Sequence, residues 1–363
     1  MTAHMKEPAM PTKPIMITRT PRGTQPTRQT HAAPATPAWQ HALAHAIRDP
    51  ESLALELDLD PVCLPGLHAG HDLFRVRIPR SYLARMRKGD PRDPLLLQVL
   101  PQLRETEEHP GFVADPVGDH DALAAPGLVH KYHGRVLLLT TGACAVHCRY
   151  CFRREFPYAE HNASREDWAP ALAYIKADPS IREVILSGGD PLSLTDHRLA
   201  DLLRRLEAIP HLERLRIHTR LPVVLPERVD DQLLGWLGTG RLHHVLVLHA
   251  NHPQEFADPA APALARLRER GITLLNQAVL LAGINDDPDT LCELQEAGFR
   301  HGILPYYLHL LDRTRGTAHF EVAEHRAIEL HRALQARLPG YLVPRLVREI
   351  PGQPGKTPRW NEA

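Results

Sequence analysis

From Arg135 to Leu308 the sequence repeats one arrangement: a short β-rich run, a turn and a helical stretch. The β-rich runs are Arg135–Thr140, Glu183–Ser187, Arg214–Thr219, His244–His249, Thr273–Leu280 and Gly302–Leu308. Helical stretches lie between them at about 165–177, 196–208, 227–237, 260–270 and 288–297. Alternation on this spacing makes βαβ units, and βαβ units make a parallel sheet covered by helices. Six strands are fewer than the eight that close a barrel. No Gly-x-Gly-x-x-Gly turn follows the first strand, so a dinucleotide-binding sheet has no specific support. The expected fold is α/β, a partial (β/α)6 barrel over residues 126–320.

Residues 321–363 are expected to form a short helix–strand segment. Its helix runs from about Val322 to Leu338 and stops at Pro339-Gly340. A strand over about Tyr341–Ile350 then leads through Pro351-Gly352-Gln353-Pro354-Gly355 to Lys356. Residues 38–125 read as a mainly helical N-terminal region. Apolar residues keep helical spacing from Trp39 to about Arg48, alternate from Leu53 to Leu59, and predict further helices near Ser81–Lys88 and Pro94–Leu103. Residues 1–37 carry seven prolines, five basic side chains and one acid with no hydrophobic period. They are predicted to be a disordered tail, with a basic organellar transit segment as the alternative.

The 43 basic and 43 acidic side chains balance, which excludes broad electrostatic binding to nucleic acid. No run of 18 apolar residues is present, so no membrane span is expected. With no secretory signal pattern, a cytoplasmic location is expected. Three of the five cysteines fall within eight residues, which reads as metal or redox chemistry and not as a disulfide framework. The loop after the first strand runs Thr-Gly-Ala-Cys144-Ala-Val-His-Cys148-Arg-Tyr-Cys151, at the carboxyl end of a strand, where β/α barrels keep their active sites. Three thiolates can hold three irons of a cubane cluster and leave the fourth iron open to a small-molecule donor. A structural zinc site is the alternative; it would need a fourth ligand, and only His147 lies nearby in sequence. Cys63 and Cys292 are distant and read as ordinary thiols. Only six of the 43 basic residues are lysines: Lys6, Lys13, Lys88, Lys131, Lys176 and Lys356. Arginine can replace lysine on a surface but cannot form a Schiff base, so a retained lysine is a candidate for chemistry.

The cysteine spacing, the aromatic residue before the third cysteine and the place after the first strand resemble the radical S-adenosylmethionine superfamily. Within it, Cys-Ala-Val-His-Cys-Arg-Tyr-Cys-Phe-Arg-Arg closely resembles the lysine 2,3-aminomutase branch. The resemblance implies a 4Fe-4S cluster on Cys144, Cys148 and Cys151. It implies S-adenosylmethionine held at Gly188, Gly189 and Asp190, in Ser-Gly-Gly-Asp-Pro, and at His249. It also implies pyridoxal 5′-phosphate attached covalently to Lys356, in Gly-Lys-Thr-Pro, with Tyr132, Arg135 and Gln277 as further contacts. Arg153 resembles the arginine that clamps the substrate carboxylate, a task suited to a bidentate guanidinium. Asp312 and Glu349 fall where the family places two acids for the distal amine of lysine; a surface ion pair is the alternative for either.

Glutamate at position 349, where the longer catabolic enzymes have aspartate, and the short C-terminus resemble a narrower group. That group prepares (R)-β-lysine from (S)-α-lysine for attachment to bacterial translation elongation factor P. The resemblance implies an isomerase with lysine as substrate, and a functional link to elongation factor P and its lysyl ligase. An electron donor such as flavodoxin or ferredoxin is implied as well. A catabolic lysine (or related amino acid) 2,3-aminomutase, or a non-catalytic zinc-binding module, remains open on the residues alone.

Overall fold

The computed structural model describes Met1 and residues 36–158 and 168–360. The expectation of a disordered tail therefore lies almost wholly outside the described residues, as does the start of the helix expected at 165–177. Ten strands form one sheet in chain order. These are β1 (Leu123–Ala125), β2 (Leu128–Tyr132), β3 (Arg135–Thr141), β4 (Glu183–Gly188) and β5 (Arg214–Thr219). They continue with β6 (His243–His249), β7 (Thr273–Val279), β8 (Ile303–His309), β9 (Arg345–Arg348) and β10 (Thr357–Pro358). From β3 to β9 every neighbour is parallel; β1, β2 and β10 are antiparallel attachments at the two ends. Among the described residues no ladder joins β10 to β1, so the barrel is partial, as the strand count implied.

The N-terminal region holds α1 (Ala38–Ala44), α2 (Pro50–Glu56), α3 (Leu67–Leu73), α4 (Arg80–Leu83) and α5 (Pro94–Leu97). The barrel crossovers are α6 (Ala169–Ala177), α7 (Asp196–Glu207), the short α8 (Leu221–Val224) and α9 (Asp231–Trp236), α10 (Ala260–Glu269) and α11 (Pro288–Arg300). The last helix, α12 (Glu324–Arg337), leads to β9. Their sequences explain them. In α7, Leu199, Leu202, Leu203 and Leu206 recur at helical spacing and are all buried. They share one core with Val184 and Leu186 of β4 and with Leu215 and Ile217 of β5. Each fully buried leucine there contributes roughly 1.5–3 kcal/mol by leaving water. The Asp287 carboxylate caps α11 by accepting from the N–H groups of Asp289 and Thr290, and Pro288 occupies the first turn.

Several expected elements are corrected. The N-terminal region is not helical to its end: β1 and β2 form a hairpin turned by Gly127 at φ 66°. The helix expected over Pro94–Leu103 is regular only to Leu97, with a last helical bond from Leu100 N–H to Leu96, and Pro101 prevents it from continuing to Leu103. The one expected from Ser81 to Lys88 is helical only to Leu83 and then relaxes into single turns, with Arg85 N–H bonding Tyr82 and Met86 N–H bonding Leu83. The stretch 227–237 divides into a turn at Pro226–Arg228 and α9, whose start is set by the Asp230 cap. The ambiguous run Leu53–Leu59 begins as helix, capped by Asp49. Of the C-terminal strand only Arg345–Arg348 pairs, since Gly340–Leu342 makes a turn of 3-10 helix.

Contacts span the gap between the two ends of the sheet. Val113 bridges to Thr314 beyond β8. Lys131 of β2 reaches Glu349 just beyond β9, with Nζ 3.0 Å from Oε1. No described helix is long and apolar enough to cross a membrane.

Candidate active site

The cysteine loop leaves β3 at Thr141 and is clamped by the N-terminal region. Arg149, wholly buried between Cys148 and Cys151, donates to both carboxylate oxygens of Glu105 and to the carbonyls of Gly70 and Phe74. Its own N–H bonds the Gln98 carbonyl at 2.8 Å. His147 is also committed: Nδ1 lies 2.7 Å from the Arg75 carbonyl and the ring stacks on Phe74. Burial depresses its pKa, so the ring is neutral. Cys144, Cys148 and Cys151 form no disulfide. Burial pushes the Cys151 thiol up to about 11, with Cys148 adding to it; burial and the neighbouring Cys151 also push Cys144 up. Thiols raised in this way give up their protons to a metal and not to water. Among the described residues no three His, Cys, Asp or Glu side chains are grouped to hold a single ion. Three reduced thiols on one loop, each within electrostatic reach of the others, are a donor set that suits the corners of an iron–sulfur cluster.

The turn after β4 lies directly against this loop. Gly188 has φ +114°, and a Cβ on Gly189 would stand 2.3 Å from the Ala143 carbonyl oxygen. Only glycines let the two loops approach this closely, with Gly189 N–H bonding Thr141 and Asp190 N–H bonding Ala143. The Asp190 carboxylate accepts from the hydroxyl of Thr219 and the N–H groups of Leu192 and Arg220. Burial raises its pKa to about 6 against these bonds. Asp190 thus braces the turn from beneath.

On β6 and β7, His249 and Gln277 stand opposite each other in register. Gln277 Nε2 donates to His249 Nε2 at 2.7 Å. Burial, then the charges of Arg220 and Arg153, lower the His249 pKa to about 3, so the ring is neutral.

The C-terminal residues return to the same mouth because β10 turns back antiparallel on β9, with Thr357 opposite Arg348. This hairpin sets the Lys356 amine against the Glu349 carboxylate. Glu349 also takes Lys131, and Lys131 in turn pairs with Asp119 at 2.5 Å and donates to the Val117 carbonyl. Asp119 is shared with Arg153, whose Nε donates to it at 2.7 Å while Nη1 donates to the Ser187 hydroxyl. Burial alone would raise Asp119, but Arg153 and Lys131 hold it down to about 2. Asp312 lines a cleft with Glu349, Leu311, Val113 and Pro116. Burial lifts its pKa to about 7; the Lys356 charge opposes the rise and Glu349 adds to it.

Tyr132 and Arg135 are placed differently. Tyr132 ends β2 and Arg135 starts β3, paired with each other a strand's length from the cysteine loop, with the Arg135 guanidinium 4.7 Å from the Tyr132 ring centre. Burial and the Glu349 charge raise the Tyr132 phenol, which connects it to the Lys356 group. Sequence reasoning missed Asp119, Lys131 and Arg220, whose Nη1 lies 2.7 Å from Cys148 Sγ. For Lys131 a signal existed, since it is one of the six lysines.

The profile of the radical SAM superfamily matches residues 138–294, from within β3 to within α11. Fold and match together define a radical S-adenosylmethionine enzyme. The chain is 48% identical over 327 residues to the L-lysine 2,3-aminomutase of Escherichia coli (strain K12), covering 90% of this chain and 95% of that one. It is 47% identical over 319 residues to the enzyme of the same name from Haemophilus influenzae, covering 88% and 94%. The Streptococcus suis SuiB structure bound to S-adenosylmethionine overlays with a TM-score of 0.46 at 15% identity, over 61% of this chain and 51% of that one. The chain belongs to the lysine 2,3-aminomutase family. It is therefore an isomerase that uses a 4Fe-4S cluster and S-adenosylmethionine.

Proposed function

We propose that this enzyme converts (S)-α-lysine to (R)-β-lysine in the cytoplasm, using pyridoxal phosphate on Lys356, and that the product is destined for elongation factor P. The observation that carries the reading is the place of Lys356. The β9–β10 hairpin brings its amine to the barrel mouth beside Glu349 and within electrostatic reach of Asp312, His249 and His309. An amine there suits attachment of pyridoxal phosphate, and the three cysteines suit the cluster.

When bound, the cluster and S-adenosylmethionine would supply hydrogen-atom abstraction, and pyridoxal phosphate would supply a conjugated system that stabilises radical character while the amino group moves between adjacent carbons of the substrate. The chain's own residues bind and orient. Cys144, Cys148 and Cys151 would hold the cluster; Gly188, Gly189, Asp190 and His249 would hold S-adenosylmethionine; Tyr132, Arg135, Gln277 and Lys356 would hold pyridoxal phosphate. Arg153, fixed through Asp119 and Ser187, presents its remaining N–H groups to the substrate carboxylate. Glu349 stays ionised: burial would raise it, but Lys356 and Lys131 hold it down. When the Lys356 amine is engaged elsewhere, the distal ammonium of lysine takes its place at Glu349. Asp312 becomes the second anion once that cation enters, because the cation offsets the cost of its burial.

The test is anaerobic incubation of cluster-loaded protein with lysine, S-adenosylmethionine and dithionite, read by chiral product analysis. (R)-β-lysine is expected; no β-lysine from protein with full iron and sulfide would refute the reading. Transfer of that product to elongation factor P by a lysyl ligase tests the destination. Turnover of free lysine at the rate of a metabolic enzyme would favour a catabolic role instead.

A further inference from the structure

Arg220 has no assigned role, yet it touches more of the site than any residue expected from sequence. It follows the last residue of β5 and is 6% exposed. Nη1 lies 2.7 Å from Cys148 Sγ, and Nε donates to the His249 carbonyl at 3.2 Å. Nη2 is shared among the Tyr82 hydroxyl, Gln98 Oε1 at 2.6 Å and Glu255 Oε2 at 2.7 Å. Its backbone N–H donates to Asp190. The rings of Tyr82 and Tyr150 flank the guanidinium, 5.4 and 5.7 Å from its carbon.

The counter-ion is as firmly held as the cation. Glu255 is fully buried, and Oε1 accepts from Asn251 N–H and Gln98 Nε2. Neither charge can turn away toward water. The guanidinium is therefore a fixed positive group aimed at one cysteine sulfur.

We propose that Arg220 is a positioning residue for the iron–sulfur cluster: it donates an N–H to the Cys148 thiolate, fixes that ligand, and raises the reduction potential of the cluster. Reduction adds negative charge to a centre already carrying thiolates. A cation in contact with one thiolate, in surroundings of low dielectric, stabilises the reduced form more than the oxidised form. Glu255 sets how much of that positive charge the sulfur feels. Through Asp190 and the His249 carbonyl the same residue ties the cluster loop to the two strand ends that flank it. The inference rests on the family's cluster and not on the choice of substrate.

The test is an anaerobic redox titration of reconstituted holoenzyme, followed by electron paramagnetic resonance, with iron and sulfide assayed in each sample. Arg220→Gln is expected to move the midpoint to a more negative value at unchanged cluster content. Arg220→Lys, which keeps the charge but not the fork, should fall between it and the parent. Glu255→Gln should move the midpoint the other way, because the guanidinium charge is then shared with no carboxylate. If Arg220→Gln does not fold, the other two variants decide. An unchanged midpoint in fully loaded Arg220 variants would overturn the proposal, as would a negative shift in Glu255→Gln, since that marks disturbed packing and not charge. A parent protein that takes up no cluster would be a separate failure, of the family assignment.

Discussion

Gln277 and His249 share a hydrogen bond of 2.7 Å across adjacent parallel strands, although each is expected to touch a different cofactor. The neutral imidazole accepts from the amide, so each side chain orients the other.

One consequence is that removing the amide disturbs both partners. Gln277→Ala should weaken pyridoxal phosphate and S-adenosylmethionine together, each by about 1 kcal/mol, the net worth of one hydrogen bond. Separate binding titrations of the two cofactors check this. Loss of affinity for pyridoxal phosphate alone would mean that the shared bond does not orient His249.

Lys356→Ala should abolish production of β-lysine while iron and sulfide content stays at the parent level. Lys356→Arg should do the same, because a guanidinium keeps the pairing with Glu349 but offers no nucleophilic amine. Product analysis beside metal assay separates lost chemistry from lost folding.

Asp312 titrates near neutrality, so the response to lysine should depend on pH. Its carboxylate is charged above about 7 in the free enzyme, and only the charged form attracts an ammonium group. Consequently kcat/KM for lysine should rise about tenfold from pH 6 to pH 8. In Asp312→Asn the profile should be flat over that range, and kcat/KM lower by about 2 kcal/mol. The raised pKa also means that ionising Asp312 subtracts stability as pH climbs from the usual carboxylate range toward 7.

Asp119 works in the opposite direction. Its folded pKa is depressed, from 3.8 to about 2, so it stabilises the fold above its unfolded pKa. That contribution, about 2 kcal/mol, is lost as pH falls from about 4 through 2. Asp119→Asn leaves Arg153 and Lys131 facing each other without their shared anion. It should cost roughly 3 kcal/mol in chemical denaturation at neutral pH. It should also flatten the acid limb of the stability profile.

The parallel strands were legible because hydrophobic runs alternating with helical stretches allow one sheet arrangement. Thus β3 to β8 lie within about a residue of the expected runs. The β1–β2 hairpin was not legible: Leu128-Val-His-Lys-Tyr132 is short, half polar and without a clean alternation. In the site, the cysteines, the double glycine and Lys356 announced themselves by spacing or rarity. Asp119 and Arg220 did not, since their meaning is tertiary. Asp119 meets Arg153 from 34 positions away and Arg220 meets Cys148 from 72. Among 43 basic residues nothing local marks the arginine that faces a sulfur. Lys131 was within reach, because the scarcity that singled out Lys356 applied to it equally.

Across the open side of the barrel, β2 and the residue after β9 are joined by charge. Glu349 sits there between two ammonium groups, Lys131 on one side and Lys356 on the other. Lys131 alone of these two crosses from β2, while Lys356 reaches Glu349 from within the β9–β10 hairpin, so chemistry that engages the Lys356 amine leaves Glu349 to Lys131 and the link across the opening in place. The active centre can thus be loaded without unfastening the flank of the vessel that holds it.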